Sequence, residues 1–452
     1  MRVDALVLGA GSSGAAAARA LARAGLRVVL VDSQAADQAG ARWVNGVPPW
    51  MFAAAGLQPP RPPVLRGGEQ AAERRFVMAD PTGEVRVVLD PAPIAQIDMR
   101  ALTASLQADA VAAGVQILDR TRLRSVEHRD RRVVAVELEG THPGRVHASL
   151  FVDASGNRGA LRDHSAQLRR WTSPLRRDDL CSAAQRTFAI ADDAGAAAFL
   201  RAHDLRPGDA FSRVGVAGGF STLMVQLDES MEEVEVLTGT IAGHGGPTGE
   251  SLLREFVAAS PWVGLERFGG AGVIPLRRAW PLLGADGVAL IGDAACQVFP
   301  AHGSGVGTGL IAAKLLADAV GGRGDPGDDD GLWAYTLAWH RGVGAVTAAY
   351  DSFRRMTQTL SAHETTAVMA AGLVTEGSAN AGLDQRMPLD DPRALIAMAA
   401  GAWKEPKLAL RLAPEAARMQ AVAALSRRFP RNPVPGALAT WAAAMQRVAG
   451  DA

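Results

Sequence analysis

The feature that most constrains the fold is a strand, a glycine-rich turn, a helix and a second strand within the first 32 residues. Residues 3–8 form an apolar run that predicts a buried strand, and residues 27–31 form another. Between them, residues 14–25 are small and alanine-rich, which favours a helix packed closely on a sheet. Such a unit of about 30 residues is a building block of parallel sheets. The chain is therefore predicted to be an α/β protein.

The turn of this unit carries the pattern G-x-G-x-x-G, in the order Gly9-Ala10-Gly11-Ser12-Ser13-Gly14. Gly9 permits the tight turn, Gly11 leaves room for a pyrophosphate against the backbone, and Gly14 lets the helix approach the strand. The first N–H groups of the helix, at the two serines, attract an anionic phosphate. Asp32 ends the second strand, where its carboxylate can accept hydrogen bonds from a ribose. We predict a dinucleotide site, with FAD and NAD both open at this point.

Composition limits the number of domains and the kinds of partner to be expected. The 452 residues suggest two or three domains. Lys plus Arg and Asp plus Glu number 47 each, which argues against a nucleic-acid partner recognised by charge. The two cysteines form no C-x-x-C pair, so no metal site is expected. No signal peptide and no apolar run long enough to span a membrane are found, so no integral membrane segment and a cytoplasmic location are expected.

The rest of the chain divides by composition. Residues 38–92 are rich in Pro, Gly and Arg and are predicted to be irregular. A helix is predicted over 99–113, a second near 249–259 as the one helix of the middle region, and further helices after an acidic linker at 321–331. The predicted strands are 114–118, 132–138, 145–152, 211–216, 220–227, 233–240, 271–276 and 288–291.

A second glycine-rich motif decides between the two dinucleotides. The order is Leu290-Ile291-Gly292-Asp293-Ala294-Ala295, followed by Pro300-Ala301-His302-Gly303-Ser304-Gly305-Val306-Gly307-Thr308-Gly309. This combination resembles the second flavin-binding motif of the para-hydroxybenzoate hydroxylase-like flavoproteins. That superfamily includes aromatic hydroxylases, flavin-dependent halogenases, geranylgeranyl reductases and lycopene cyclases. The resemblance implies FAD as the cofactor.

Further segments are similar to the same superfamily, in the same order along residues 1–320. The segment 97–102 resembles the one whose arginine, here Arg100, lies near the FAD phosphates. The segments 151–156 and 274–278 resemble the middle motif and the strand that returns to the flavin domain. Arg42 lies in a region that lines the flavin in related enzymes.

The resemblance also implies roles and a domain division. Asp293 is expected to accept a hydrogen bond from a ribityl hydroxyl. Gly303, Gly305, Val306 and Gly307 are expected to open a helix whose positive end faces the flavin. The expected fold is a Rossmann-type FAD domain from residues 1–165 and 286–325, an inserted mainly β substrate domain at 166–285, and a helical C-terminal region at 326–452.

Departures from the family patterns bear on which branch of the superfamily the chain resembles. Ser155 stands where hydroxylases that use NADPH directly carry an Asp, which puts direct nicotinamide use in doubt. Halogenases have a lysine in the N-terminal third and a Trp-x-Trp segment, but the first lysine here is Lys314 and no Trp-x-Trp occurs. Halogenation is therefore not expected. The Tyr-x-Trp-x-Phe-Pro segment of geranylgeranyl reductases is also absent, since the only tyrosines are Tyr335 and Tyr350.

His302 is the candidate catalytic residue, because a histidine beside the flavin-facing glycines can transfer a proton near neutral pH. A packed or solvent-facing role stays open. Cys296 is either a reactive thiol or a small buried residue. The cluster at 43–52 forms either a substrate wall or a surface-loop cluster. Arg277 and Arg278 bind either a substrate anion or structural partners.

These patterns predict an FAD-dependent monooxygenase that hydroxylates or epoxidises a small apolar or aromatic molecule through a flavin C4a-hydroperoxide. Electrons would come from NAD(P)H or from a partner flavin reductase. The alternatives are a reductase of a lipid or natural-product C=C bond and a redox-neutral flavin-dependent cyclase.

Overall fold

The computed structural model describes residues 1–67, 74–241, 245–388 and 404–450. Within these residues the first predicted unit forms as expected: β1 (Ala5–Leu8), α1 (Ser12–Arg23) and β2 (Val28–Val31). Both strands are fully buried, which explains their unbroken apolar sequence. The predicted α/β class is confirmed.

The remaining strands follow in chain order. They are β3 (Val44–Val47), β4 (Phe76–Ala79), β5 (Arg86–Leu89), β6 (Ala95–Asp98), β7 (Gln116–Leu118), β8 (Thr121–Arg129), β9 (Arg132–Gly140), β10 (Gly144–His147), β11 (Leu150–Asp153), β12 (Leu180–Ile190), β13 (Ala210–Val214), β14 (Ser221–Leu227), β15 (Glu233–Ile241), β16 (Val263–Pro275), β17 (Gly284–Ala285) and β18 (Val288–Leu290).

The described helices continue from α1 in the same way. They are α2 (Trp50–Ala54), α3 (Met99–Ala112), α4 (Ala166–Trp171), α5 (Asp193–Ala202), α6 (Gly249–Ala258), α7 (Val306–Val320), α8 (Asp329–Arg341), α9 (Val343–Thr357), α10 (Ala362–Ala370), α11 (Glu376–Leu383), α12 (Pro406–Arg427) and α13 (Pro435–Ala449). None of these described helices is long and apolar enough to cross a membrane.

The sheet that carries both glycine motifs has the strand order β17-β18-β11-β1-β2-β7. Its strands are parallel except for the antiparallel pair of β17 and β18. Because β11 pairs with both β1 and β18, the turn after β1 and the motif after β18 meet at one edge of the sheet. The carboxyl edge of a parallel sheet is where ligands bind in such folds.

A second, larger sheet has the order β16-β12-β15-β14-β13-β4-β5. One face is covered by α5 and α6 and is mainly apolar, with a core that includes Phe188, Val225 and Val236. The opposite face retains half-exposed apolar side chains, which is the arrangement expected of a binding surface.

Several predictions for secondary structure are wrong. The segment 38–92 is not irregular, because it contains β3, α2, β4 and β5; its residues 68–73 lie outside the described part. The middle region has α5 as well as α6, and the long strand β12 was missed. The domain division stays a prediction, but the parallel pairing of β4 with β13 brings chain from before residue 165 into the larger sheet. That pairing joins residues more than 130 positions apart, which local sequence patterns cannot indicate.

Candidate flavin site

The first glycine turn is shaped mainly by close backbone packing. A Cβ on Gly14 would collide with the carbonyl oxygen of Gly9, and a Cβ on Gly9 would collide with the Ala154 backbone. Gly11 is the N-cap residue of α1 and offers no side-chain cap, so the first N–H groups of the helix remain available to an anion. A Cβ on Gly11 would lie 3.2 Å from the Cα of Gly40, so the loop at residue 40 packs over this turn.

Asp32 and Gln107 brace the same turn. The Asp32 carboxylate accepts hydrogen bonds from the Ala10 N–H at 2.7 Å and the Gln34 N–H at 2.8 Å. The Gln107 amide, on α3, donates to the carbonyl of Ala10 at 2.9 Å. Sequence reasoning missed Gln107, since its partner lies 97 positions away. The ribose contact of Asp32 stays a prediction.

The second motif forms a short helical turn from Gly292 to Ala295 and leads into α7. Hydrogen bonds that lead to the C-terminal region hold the shape of this turn. The Gln297 side chain accepts from the Gly292 N–H at 2.9 Å and donates to Tyr335 Oη at 2.8 Å, and Tyr335 donates to the Leu290 carbonyl at 2.8 Å. This tether anchors the turn to α8.

The two motifs are in direct contact through Ser13. A Cβ on Gly292 would lie 2.9 Å from Ser13 Oγ, and a Cβ on Gly309 would collide with the same atom. Gly307 makes a similar close approach to the Met51 side chain of α2. The glycines of α7 therefore allow α1 and α2 to pack against it, which is a role that the sequence pattern did not indicate.

Asp293 is the polar group of the site without a protein partner. Its carboxylate accepts no hydrogen bond from the residues that the structure describes, and burial alone raises its pKa to about 6. A Cβ on Gly305 would lie 3.5 Å from Asp293 Oδ1, so a side chain there would narrow the space beside the carboxylate. Gly305 is also the N-cap residue of α7, which therefore has no side-chain cap. An unpartnered acceptor beside a free helix N-terminus fits the ribityl chain and ring edge of FAD.

The two arginines predicted near the cofactor have protein partners. Arg42 donates to the Asp37 carbonyl at 2.7 Å. Arg100 pairs with Asp98 at 2.6 Å, and its guanidinium lies 3.4 Å from the centre of the Phe268 ring. Their contacts with FAD stay predictions.

His302 lies on the loop before α7 and is accessible to solvent. Its Nδ1 accepts from the Ser304 N–H at 3.3 Å, and the ring also faces the Gly382 carbonyl at the end of α11. The surrounding protein lowers the pKa of His302, so the ring is neutral at pH 7. Both nitrogens meet backbone groups, an arrangement that favours positioning of the loop over proton transfer.

Packing decides between the alternative roles of the other candidate residues. Cys296 is buried, and burial raises the pKa of its thiol to about 12, so it is not a reactive thiolate at neutral pH. Met51 and Phe52 are buried on α2, so the cluster at 43–52 is not a surface loop. Arg278 is buried and pairs with Asp351 at 2.9 Å. No group of three or more His, Cys, Asp and Glu among the described residues is placed to hold a metal.

The half-exposed face of the larger sheet lies beside these loops. Ala183, Met224 and Leu237 stand on it, and the indole of Trp43 lies within 3.5 Å of Cβ positions on Gly270 and Gly272. At the other end of the same face, Ile274 approaches Gly303. We refer to this surface, from Trp43 to Ile274, as the front face.

Comparison with known proteins agrees with this geometry. Residues 4–162 match the family model described as FAD dependent oxidoreductase. The chain is an FAD-dependent oxidoreductase. The predicted cofactor, FAD, and the predicted superfamily are thereby confirmed.

Among curated relatives of the oxidoreductase, a digeranylgeranylglycerophospholipid reductase of Methanothrix thermoacetophila is 28% identical over 77% of this chain and 86% of that protein. The reductase of the same name from Sulfolobus acidocaldarius is also 28% identical, over only 38% of each chain.

Solved structures show the same fold. A geranylgeranyl bacteriochlorophyll reductase-like protein of Thermoplasma acidophilum superposes with a TM-score of 0.70 and 16% identity over 92% of this chain and 99% of that chain. PqsL of Pseudomonas aeruginosa, a probable FAD-dependent monooxygenase, gives 0.57 and 19% over 82% and 100%.

Proposed function

We propose that the oxidoreductase saturates C=C bonds in the isoprenoid chain of a lipid. The observation that carries this proposal is the alignment with a digeranylgeranylglycerophospholipid reductase over most of both chains. This was the alternative, and not the leading, prediction from sequence. The missing Tyr-x-Trp-x-Phe-Pro segment implies that this chain contacts its substrate through other side chains.

The front face has the chemistry for an apolar chain. Ala183, Met224 and Leu237 are half-exposed and uncharged, and Trp43 bounds one end of the face. Burying such a surface against a hydrocarbon is favourable by about 25 cal/mol per Å2. A polyprenyl chain therefore gains affinity along the apolar part of this face.

Gln185 is a polar residue on the front face. It is buried, and neither of its amide atoms has a hydrogen-bond partner within the described ranges. It stands beside Leu237 and Gly270 on the two neighbouring strands. An unpartnered buried amide is costly unless a ligand satisfies it, so we assign Gln185 to a polar group of the substrate or cofactor.

The remaining residues of the site hold the reaction partners in place. When reduced, FAD supplies a hydride to the substrate double bond. Asp293 and the free ends of α1 and α7 hold the cofactor, and His302 fixes the loop between them and α11. Glu235 lies two residues before Leu237 on β15, on the same side of the sheet, and burial raises the pKa of its carboxyl to about 7, so it would supply the balancing proton.

A monooxygenase remains the second candidate, because PqsL shares the fold over 82% of this chain. In that case the same front face would hold an apolar substrate while O2 reacts. NAD(P)H or a partner flavin reductase would supply electrons in either case.

Product analysis separates the two functions. Dithionite-reduced enzyme is incubated anaerobically with digeranylgeranylglycerol phosphate in detergent micelles, and the lipid is analysed by mass spectrometry. We expect a gain of two hydrogens per double bond. Leu237→Trp should reduce the yield by filling the front face, while Leu265→Trp, at a position 84% exposed on β16, should not. A product that gains oxygen, and only in air, would replace the reductase by the monooxygenase.

A further inference from the structure

A cavity of about 290 Å3 lies away from the glycine motifs, between the C-terminal helices and the segment that leaves β16. Its walls come from α4, residues 277–281, α8, α9 and α13. The lining is unusually rich in aromatic and basic side chains: Trp171, Trp280, Trp441, Arg170, Arg277 and His340.

Two of these arginines carry uncompensated charge. The Arg277 guanidinium lies 4.1 Å from the centre of the Trp280 ring, and its Nε donates only to a backbone carbonyl. Arg170 lies 5.8 Å from the ring of Trp171. Neither has a carboxylate within 4 Å in the part of the chain that the structure describes. The adjacent Arg278 differs, because it is paired with Asp351.

His340, the third basic residue of the cavity lining, adds no positive charge to the cavity. Burial lowers the pKa of His340 to about 4, and its Nε2 lies 3.2 Å from the Trp280 carbonyl. The imidazole is therefore neutral and fixed at pH 7. The cavity thus combines two cations with flat aromatic walls, which suits a ligand that has both an anionic group and a ring.

We propose that this cavity binds a small aromatic anion, a carboxylate or a phosphate carried on one ring. Its volume of about 290 Å3 equals that of roughly ten water molecules at about 30 Å3 each, which is room for one ring with an anionic group. The anion would lie between Arg170 and Arg277, with the ring against the tryptophans. This site is independent of the proposed reductase function.

The position of the cavity links it to the flavin motif. Trp280 forms one of its walls, and the same residue donates hydrogen bonds to the carbonyls of Ala294 at 3.1 Å and Ala295 at 3.3 Å. An occupant therefore contacts a residue that supports the turn carrying Asp293.

Calorimetric titration of the FAD-saturated full chain tests this site, with phenyl phosphate as the probe. We expect one phenyl phosphate per chain, and at least tenfold weaker binding of benzyl alcohol and of inorganic phosphate. Arg277→Gln and Arg170→Gln should each weaken phenyl phosphate at least tenfold. Arg169→Gln, an exposed neighbour that does not line the cavity, should not.

Three results would overturn the proposal. The first is no binding of phenyl phosphate up to about 10 mM, which corresponds to a negligible affinity. The second is that benzyl alcohol or inorganic phosphate binds as tightly as phenyl phosphate, since the site would then recognise only a ring or only an anion. The third is unchanged binding to both arginine variants with FAD retained, which would put the probe elsewhere on the chain.

Discussion

At the scale of single residues, Asp293 is the side chain on which FAD binding should depend most. Its raised pKa, about 6 against an ordinary 3.8, follows from burial without a partner. Hydroxyl donors of FAD favour the ionised carboxylate, so FAD binds the deprotonated form more tightly. Lowering the pH through about 6 protonates Asp293 and should therefore weaken FAD.

The corresponding test uses Asp293→Asn. We expect its affinity for FAD at pH 8 to fall by about 1–3 kcal/mol, the cost of losing a charge-assisted hydrogen bond. The weakening of FAD between pH 7 and pH 5 should also disappear in the variant. Fluorescence titration of the apoprotein with FAD measures both effects. Identical pH profiles for the two proteins would remove Asp293 from the cofactor site.

His302 separates two roles that sequence alone left open. If it positions the loop through its two backbone contacts, His302→Gln should retain most of the activity, while His302→Ala should lose more. If it transfers a proton, both variants should lose roughly 10²-fold. The rate of lipid reduction in single turnovers distinguishes these outcomes, with His363→Ala on the exposed side of α10 as the control. We expect the first result.

At the scale of elements, the contact between α1 and α7 depends on the absence of side chains. A Cβ on Gly309 would collide with Ser13 Oγ. Gly309→Ala should therefore cost about 1–3 kcal/mol of unfolding free energy, the usual cost of overpacking. Ser13→Ala in the same chain should restore part of that loss, because it removes the colliding oxygen.

Urea unfolding of the single and double variants measures this coupling. Gly436→Ala is the matched control, since a Cβ there meets no atom within 4 Å. Additive losses in the double variant, with no recovery, would mean that Ser13 and Gly309 do not limit each other.

The elements also show what sequence could predict. The strand–turn–helix–strand unit was predicted because its signal is local: apolar runs, glycines and a helix of small residues lie within 32 positions. The second motif was predicted from a resemblance, since its glycines alone do not specify a flavin. The tether from Gln297 to Tyr335, the contact of Ser13 with two distant glycines, and the pairing of β4 with β13 all join distant positions, so no local pattern contains them.

At the scale of the whole molecule, a buried ionic cluster joins the C-terminal region to the larger sheet. Asp351 on α9 is fully buried and contacts Arg278 at 2.9 Å and Arg354 at 2.8 Å. Arg354 in turn reaches Asp179, at the start of β12, at 3.1 Å. These arginines hold the pKa of Asp351 well below its usual range.

Asp351→Asn should therefore destabilise the chain strongly. Removing one partner of a buried pair leaves charge uncompensated and costs about 3–5 kcal/mol. The exposed pair of Lys314 and Asp318 provides the control, where Asp318→Asn should cost at most about 1 kcal/mol. Urea unfolding at pH 7 makes the comparison, and equal losses in the two variants would show that the cluster does not hold the regions together.

The central claim is that the flavin reduces a lipid double bond directly. The most direct measurement is an anaerobic single turnover, in which dithionite-reduced enzyme, free of excess dithionite, is mixed with digeranylgeranylglycerol phosphate. Absorbance reports the return of oxidised flavin, and mass spectrometry counts the hydrogens gained by the lipid. We predict that oxidised flavin returns without O2, with one double bond saturated per flavin. A flavin that stays reduced until O2 is admitted, with oxygen then appearing in the product, would contradict the claim.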